Sequence, residues 1–404
     1  MDSLHLLEVG LSWPPEAYLQ RKLEGLAARG LRVTVAAEID RRSIRHLLRG
    51  VELISLPRWD EPALVMALGL VRDGLALAIR RPSRLGRLLR AMPRLRLLRL
   101  ALPLLLANAD IIHFEWESTA RAFLPLYEVC GAPIVVSNHG GINIRSKIGD
   151  ERMAASYPRI FEKATAVHCV CEATLRNAVC HGLEARKAHV IRTAVDTEFF
   201  APAAKVDADA FRIVAVGELN WIKGYSDALE AIALLVSQGI PISYEVIGGE
   251  PAKDSYKQSD RSRILYLIHE LGLRDCIHLR GELSQEQVRD CLQQSDVLLH
   301  ASLSEGLPNA VLEAMACALP VVVTDCGGLR EAVSDGIEGF VCPRRSPKAL
   351  AEALGKLWQD PEQARRMGEA GRARVLAEFT LQQQIESFVR FYENLSQAHP
   401  RERP

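Results

Sequence analysis

Short apolar runs alternate with amphipathic stretches along the whole chain. LHLLEV (4–9), LRVTVAA (31–37), VELISL (51–56), DIIHF (110–114), PIVVSN (133–138) and AVHCV (166–170) read as buried strands, and AHVIR (188–192) closes the series. Helical patterns such as 16–29 and 171–181 lie between most of them. The alternation then restarts with FRIVAVG (211–217), ISYEVIG (242–248), CIHLRG (276–281), DVLLH (296–300) and LPVVVT (319–324). Runs that are continuously apolar, with helices between, predict parallel sheets covered on both faces. Two such series predict two doubly wound α/β domains. Their expected limits are 1–200 and 201–380, joined through the Ala/Pro/Asp-rich EFFAPAAKVDADA (198–210).

Two segments stand apart. From Leu381 to Ser396, apolar residues fall at 381, 385, 388, 392 and 395, the seam of a terminal helix that docks on a domain, with the tail to 404 behind it. From Arg80 to Arg99, eight arginines mix with leucines, and no acid occurs between Asp73 and Asp110. That strip fits a solvated basic helix pair broken at Pro93, and it fits equally a segment facing an anionic membrane surface.

Composition narrows the class. At 404 residues the chain exceeds the ~250–300 at which single cores stop growing. Its 48% hydrophobic and 25% charged content is that of an ordinary globular protein. Net charge is zero, but residues 1–200 hold 28 Lys+Arg against 21 Asp+Glu, so the first half is the one suited to an anionic partner. Nothing in the pattern suggests a nucleic-acid partner. The nine cysteines include no C-x-x-C, which predicts reduced, packed thiols in a cytosolic protein and no zinc site. MDSLHLLEVG lacks the long apolar core of a signal peptide, and no apolar run reaches the ~18–20 residues that span a bilayer.

The chemistry concentrates in SEGLPNAVLEAMACALPVV (304–322). In an open parallel sheet, ligands bind beyond the carboxyl ends of the strands, and this loop follows the strand ending at His300. Pro308 fits the first position of a helix running to about Cys317, whose free N–H groups and positive end suit a phosphate. Gly306 permits close approach to the backbone. Glu313, one turn in, suits a ribose diol, while Glu305 suits sugar hydroxyls beyond a diphosphate. Spacing alone also fits a plainer reading: two surface carboxylates flanking a capped helix.

EGLPNAVLEAMACALPVVVTDCGGLREAVSDGIEGFVCP (305–343) closely resembles the donor-site block of retaining GT-B glycosyltransferases of family 4. GELNWIKGYSDALEAI (217–232) resembles that family's phosphate loop and helix, and VSNHGG (136–141), VCEATL (170–175) and AVDTEFFAP (194–202) its first-domain signatures. Together they cover nearly the whole chain. PPEAYLQRKLEGLAARG (14–30) and NWIKGY (220–225) are similar to the subgroup that builds bacterial exopolysaccharide and lipopolysaccharide cores. The resemblance implies a GT-B fold, two Rossmann-like domains facing a central cleft, with the terminal helix docking back.

It further implies that Glu305 contacts the donor hexose, Glu313 the ribose, Lys223 the diphosphate, and the N–H groups around Gly306, Leu307 and Pro308 the sugar and phosphate. His139 would position the reacting sugar and stabilise charge, and Gly10 would let the first loop near the diphosphate. Trp13, His113 and Trp116 would lie where acceptor binds, or pack in the core. No metal or other cofactor is expected. Three positions depart from the family pattern: Glu218 where Arg is common, Ala194 in TAVD and Ala318 in MACALP stand where glycine is usual.

The function so implied is retaining transfer of a hexosyl group from a UDP- or GDP-sugar to a glycan or lipid-linked acceptor, in cell-surface polysaccharide or glycolipid synthesis. The protein would be cytoplasmic, or peripheral on the inner face of the plasma membrane. Two alternatives share the fold or the location: a nucleotide-sugar epimerase, and a non-catalytic membrane-associated partner of a transferase, for which Glu218 is the argument.

Overall fold

A computed structural model describes residues 3–39, 47–58, 60–92, 94–145, 148–251 and 258–399. The chain falls into two compact units. The first comprises residues 1–170, 174–191 and 384–404, and the second 171–173 and 192–383. The stretch from Arg192 belongs to the second unit for a simple reason. Val195 N–H donates to Phe379 O at 2.9 Å, and the Arg372 guanidinium donates to the carbonyls of Thr197 (2.9 Å) and Phe200 (2.8 Å).

In the first unit, seven parallel strands run in the order β3-β2-β1-β4-β5-β6-β7. They are β1 His5–Val9, β2 Arg32–Glu38, β3 Val51–Leu56, β4 Ile111–Phe114, β5 Ile134–Asn138, β6 Ala166–Cys169 and β7 Ala188–Val190. The second unit has six parallel strands in the order β10-β9-β8-β11-β12-β13. These are β8 Phe211–Val216, β9 Ile242–Ile247, β10 Ile277–Gly281, β11 Val297–His300, β12 Val321–Thr324 and β13 Gly339–Cys342. This is the double Rossmann-like α/β architecture that the two apolar series predict. Sequence pattern and burial agree strand by strand. The central strands β1, β4, β5, β11 and β12 are buried at every position, whereas the edge strands β3, β7 and β10 are part-exposed. The short β13, opened by Gly339, is too weakly apolar to stand out in the sequence. In the structure it pairs with β12 across four residues.

In both sheets the strand order reverses beside the first strand of the series, at β1/β4 and at β8/β11. At such a point the loops leave in opposite directions and open a crevice at the carboxyl ends.

The terminal helix Leu381–Ala398 buries Ile385, Phe388, Phe391, Tyr392 and Leu395. From Gln384 on it belongs to the first unit, where Ile385 fills the space above Gly25. The arginine strip spans the helices Pro82–Ala91 and Leu95–Ala107, and the break expected at Pro93 lies outside the described residues.

One departure from the family pattern has a conformational meaning. Ala318 has φ +57°, a left-handed conformation that costs an L-residue ~1–2 kcal/mol and glycine almost nothing. Ala318→Gly is therefore expected to raise unfolding stability by about 1 kcal/mol, read as a higher denaturation midpoint. An unchanged or lower midpoint would show that this strain is relieved elsewhere.

Candidate functional site

Two loops meet at the β8/β11 crevice of the second unit. After β8 the chain makes a short turn, Trp221–Lys223, fixed by the Asn220 side chain accepting from Ile222 N–H at 3.0 Å. That turn aims Lys223 across the crevice, where Nζ lies 2.7 Å from Glu305 Oε1. After β11, His300 Nε2 stands 3.1 Å from the same oxygen and Ser302 Oγ donates to it at 2.7 Å. Three donors thus converge on one carboxylate oxygen. Burial works to raise the Glu305 pKa. The Lys223 charge and the His300 hydrogen bond overcome it and hold the carboxyl well below the usual carboxylate range. Because an ionised carboxylate only accepts, His300 Nε2 carries a proton.

The helix Asn309–Ala316 begins one residue later than the sequence suggests. Pro308 occupies the N-cap with extended geometry (ψ 130°), and no side chain caps the helix. Its first N–H groups are therefore left to solvent or a ligand. Glu313 lies on the part-exposed face with Asn309 and Ala310, while Leu307 is buried. The Gly306 carbonyl accepts from Gly328 N–H at 2.7 Å, which ties the Glu305 loop to the turn after β12. Gly327 is required there: it has φ +56°, and a Cβ would fall 2.0 Å from the Glu305 carbonyl oxygen. Glu218 accepts a hydrogen bond from the Asn220 amide at 3.1 Å, while Lys223 is engaged by Glu305.

The first unit holds a second polar cluster, at the β1/β4 crevice. Gly10, just after β1, has φ +96°, and a Cβ would meet Thr119 Oγ1 at 2.8 Å. The glycine is thus demanded by the turn and by packing. His139, after β5, places Nε2 3.1 Å from Glu115 Oε1, and Trp116 packs on its ring at 4.7 Å between centroids. Glu115 Oε2 accepts from Lys22 at 2.8 Å, and Lys22 Nζ is also 3.2 Å from Glu8. Burial works against both charges. The Glu115 carboxyl is nonetheless held well below its ordinary value by Lys22 and His139, and Lys22 is raised by Glu115 and Glu8. Glu8, His113 and Glu115 come within 4.8 Å of one another, a spacing that suits a metal ion. The Lys22 ammonium already supplies the positive charge there.

Of the two places expected for His113, acceptor loop or packed core, the structure shows it in the core. It is fully buried in a chain of hydrogen bonds that runs from the Ile191 carbonyl to Tyr392. His168 Nε2–H donates to Ile191 O (2.9 Å), so its Nδ1 accepts from Ser137 O–H (2.8 Å). Ser137 then accepts from His113 Nε2–H (2.8 Å), and His113 Nδ1 lies 2.7 Å from the Tyr392 hydroxyl and 3.4 Å from Glu8 Oε1. Burial, then the nearby His113 and His139, push the His168 pKa well down, consistent with its neutral place in the chain. Trp13 is likewise buried, whereas Trp116 and His139 keep part of their surface. Sequence reasoning missed His300, Ser302, Glu115, Lys22 and Glu8. His300 ends strand β11 and Ser302 stands in the loop after it, at a crevice. The last two are charges inside apolar patterns, Lys22 among Leu19, Leu23 and Leu26 and Glu8 within LHLLEV.

Comparison with known proteins fits this geometry. The profile of glycosyl transferases group 1 matches residues 196–374, and that of Glycosyltransferase Family 4 matches residues 15–199. The amylovoran biosynthesis glycosyltransferase AmsK of Erwinia amylovora is 29% identical over 281 residues, covering 68% of this chain and 67% of that one. Sucrose-phosphate synthase from Thermosynechococcus elongatus superposes with a TM-score of 0.79 at 20% identity, over 98% of this chain and 100% of that one. Anabaena HepE, solved in complex with UDP-glucose, gives 0.74 at 16% identity, over 96% and 100%. The chain belongs to glycosyltransferase family 4, with the GT-B fold.

Proposed function

We propose that this protein transfers a hexosyl group, with retained anomeric configuration, from a UDP- or GDP-sugar to a glycan or lipid-linked acceptor on the cytoplasmic side of the membrane. The observation that carries the reading is the meeting of Lys223 and Glu305 ahead of the uncapped helix Asn309–Ala316. Breaking the bond between sugar C1 and the diphosphate oxygen leaves a diphosphate that gains negative charge. A cation and a helix N-terminus aimed at that charge stabilise its departure. The acceptor hydroxyl oxygen bonds to C1 from the face the diphosphate leaves, and its proton passes to a diphosphate oxygen.

Glu305 is assigned to the hexose hydroxyls, with Lys223 shared between its carboxylate and the donor phosphate. Glu313 is assigned to the ribose, and the backbone of Gly306, Leu307 and Pro308 to sugar and phosphate. To His139, held by Glu115, falls positioning of the transferred sugar. No metal ion is part of this proposal. The AmsK resemblance supports a place in surface-polysaccharide synthesis, and the HepE complex supports a UDP-type donor.

Glu313→Ala is expected to weaken binding of UDP or GDP by roughly 1.5–3 kcal/mol, the scale of hydrogen bonds to a charged group. Calorimetric titration reads this directly. Wild-type affinity for both nucleotides would remove Glu313 from the site. Nucleotide release from UDP- and GDP-sugars, with and without oligosaccharide acceptors, tests transfer itself.

A further inference from the structure

The helix Ala63–Arg80 carries apolar side chains on both faces. Its inward face buries Leu77 in the core together with Gly69 and Asp73, and Arg99 from the helix Leu95–Ala107 bonds Asp73 at 2.7 Å. The Arg99 guanidinium lies flat over Gly69, where a Cβ would fall 2.3 Å from Nε, and Glu61 stands 3.4 Å from the same atom. The outward face carries Leu64, Leu68, Val71, Leu75 and Ile79, each between 59% and 82% exposed. Their spacing of four, three, four and four residues draws one stripe, and the 15 steps from Leu64 to Ile79 at ~1.5 Å each make it about 22 Å long. The outward face of a water-facing helix is ordinarily polar, and a contiguous apolar patch of this kind marks a surface that something covers.

Charge identifies the cover. From Gly74 to Ala109 the chain holds no acid; exposed Arg80 closes the stripe, and exposed Leu89, Arg90, Arg94 and Leu95 lie in the segments that follow it in the chain. Among the described residues no helix is long and apolar enough to cross a membrane. A helix with an apolar outer face and a basic flank instead lies in the plane of the interface. We infer that the helix Ala63–Arg80, with the arginines behind it, docks this protein on an anionic lipid bilayer. The leucines enter the acyl boundary and the arginines meet the head groups. The inference stands apart from the donor site, since it uses none of its residues.

The test is sedimentation of the full chain with vesicles of phosphatidylcholine alone and of phosphatidylcholine mixed with phosphatidylglycerol. The wild type is expected with the anionic vesicles and not the neutral ones, the bound fraction falling as salt rises. Replacing Leu68, Leu75 and Ile79 together with Gln should lower the bound fraction at least about tenfold at low salt. Arg80→Gln, Arg90→Gln and Arg94→Gln together should remove the preference for anionic lipid. These side chains are exposed, so circular dichroism and affinity for UDP should match the wild type in both variants. Wild-type protein that ignores anionic vesicles at low salt overturns the inference. So does a Gln variant of the stripe that binds vesicles as the wild type does. A wild-type dimer that the stripe variant converts to monomer, without vesicle binding in either, would show that a second copy covers the helix.

Discussion

Lys223→Ala is expected to reduce sugar transfer by about 10²–10³-fold, the loss seen when one preorganised donor to a developing negative charge is removed. The effect has two parts. The leaving diphosphate loses a cation that stands at the mouth of the β8/β11 crevice. Glu305 also loses the largest of the partners that offset its burial, with His300 remaining, so its pKa moves up towards the ordinary carboxylate range. The second part is separable. Adding Glu305→Gln to Lys223→Ala removes the unpaired charge and should restore the fold stability lost in the single variant, but not turnover. Because the wild-type Glu305 pKa is depressed, its contribution to stability is present above the unfolded value of ~4.3 and is lost as pH falls through the folded one. Glu305→Gln should therefore differ from wild type most at neutral pH and least in strong acid. Calorimetry with UDP and GDP, turnover, and a double-mutant cycle on stability decide the matter. Wild-type turnover and affinity in Lys223→Ala would mean that this loop does not face the phosphates, and the proposed mechanism falls with it.

The carboxyl-terminal half of the site was the more legible in the sequence, and for a physical reason. A parallel strand, a Gly-Leu-Pro loop and a following helix are contiguous, so 297–316 announces its own geometry. Lys223 stands apart in sequence, but the reversal of strand order between β8 and β11 makes the two loops neighbours. What periodicity hides is side chains meeting from distant segments. Glu8, Lys22, His113, Glu115, His139 and Tyr392 come from two strands, two helices and two loops. For Glu8 and Lys22 only a mismatch betrayed the cluster, a glutamate and a lysine where the apolar pattern calls for neither. His113 shows the converse. Its place at the end of a strand suggests a ligand contact, but Tyr392, 279 residues away, reaches its ring and gives it a structural partner. The apolar outer face of the helix Ala63–Arg80 was invisible for a related reason. A periodic stripe tells that a helix has two faces, and only tertiary contacts tell which one is inside.

The same buried cluster sets the largest stability effect expected here. Lys22→Met keeps the bulk of the side chain but leaves Glu8 and Glu115 in the core without their cation. Breaking a buried ion pair by removing one partner costs about 3–5 kcal/mol, because the remaining charge is neither solvated nor paired. The loss should appear as an earlier unfolding transition for the first unit, followed by tryptophan fluorescence in urea. The pH dependence distinguishes this cause from simple misfit. In the wild type the depressed Glu115 contributes stability above the unfolded carboxylate pKa, and that contribution fades as pH falls through its folded value. In Lys22→Met, burial without the ammonium raises the Glu115 pKa, so mild acid neutralises the orphaned carboxylate. The deficit should then narrow as pH drops from neutral towards about 4–5. At high pH the sign runs the other way. The raised Lys22 pKa keeps its contribution whole below the unfolded value of ~10.4, and wild-type stability declines as pH rises through the folded one. Glu115→Gln placed on Lys22→Met should recover part of the loss, since it removes a buried charge with little change in shape. It should also reduce transfer, because His139 then rests against a neutral amide instead of a carboxylate. A deficit that stays constant across this pH range would assign the loss to packing around Leu19, Leu23 and Leu26, and not to the unpaired carboxylates.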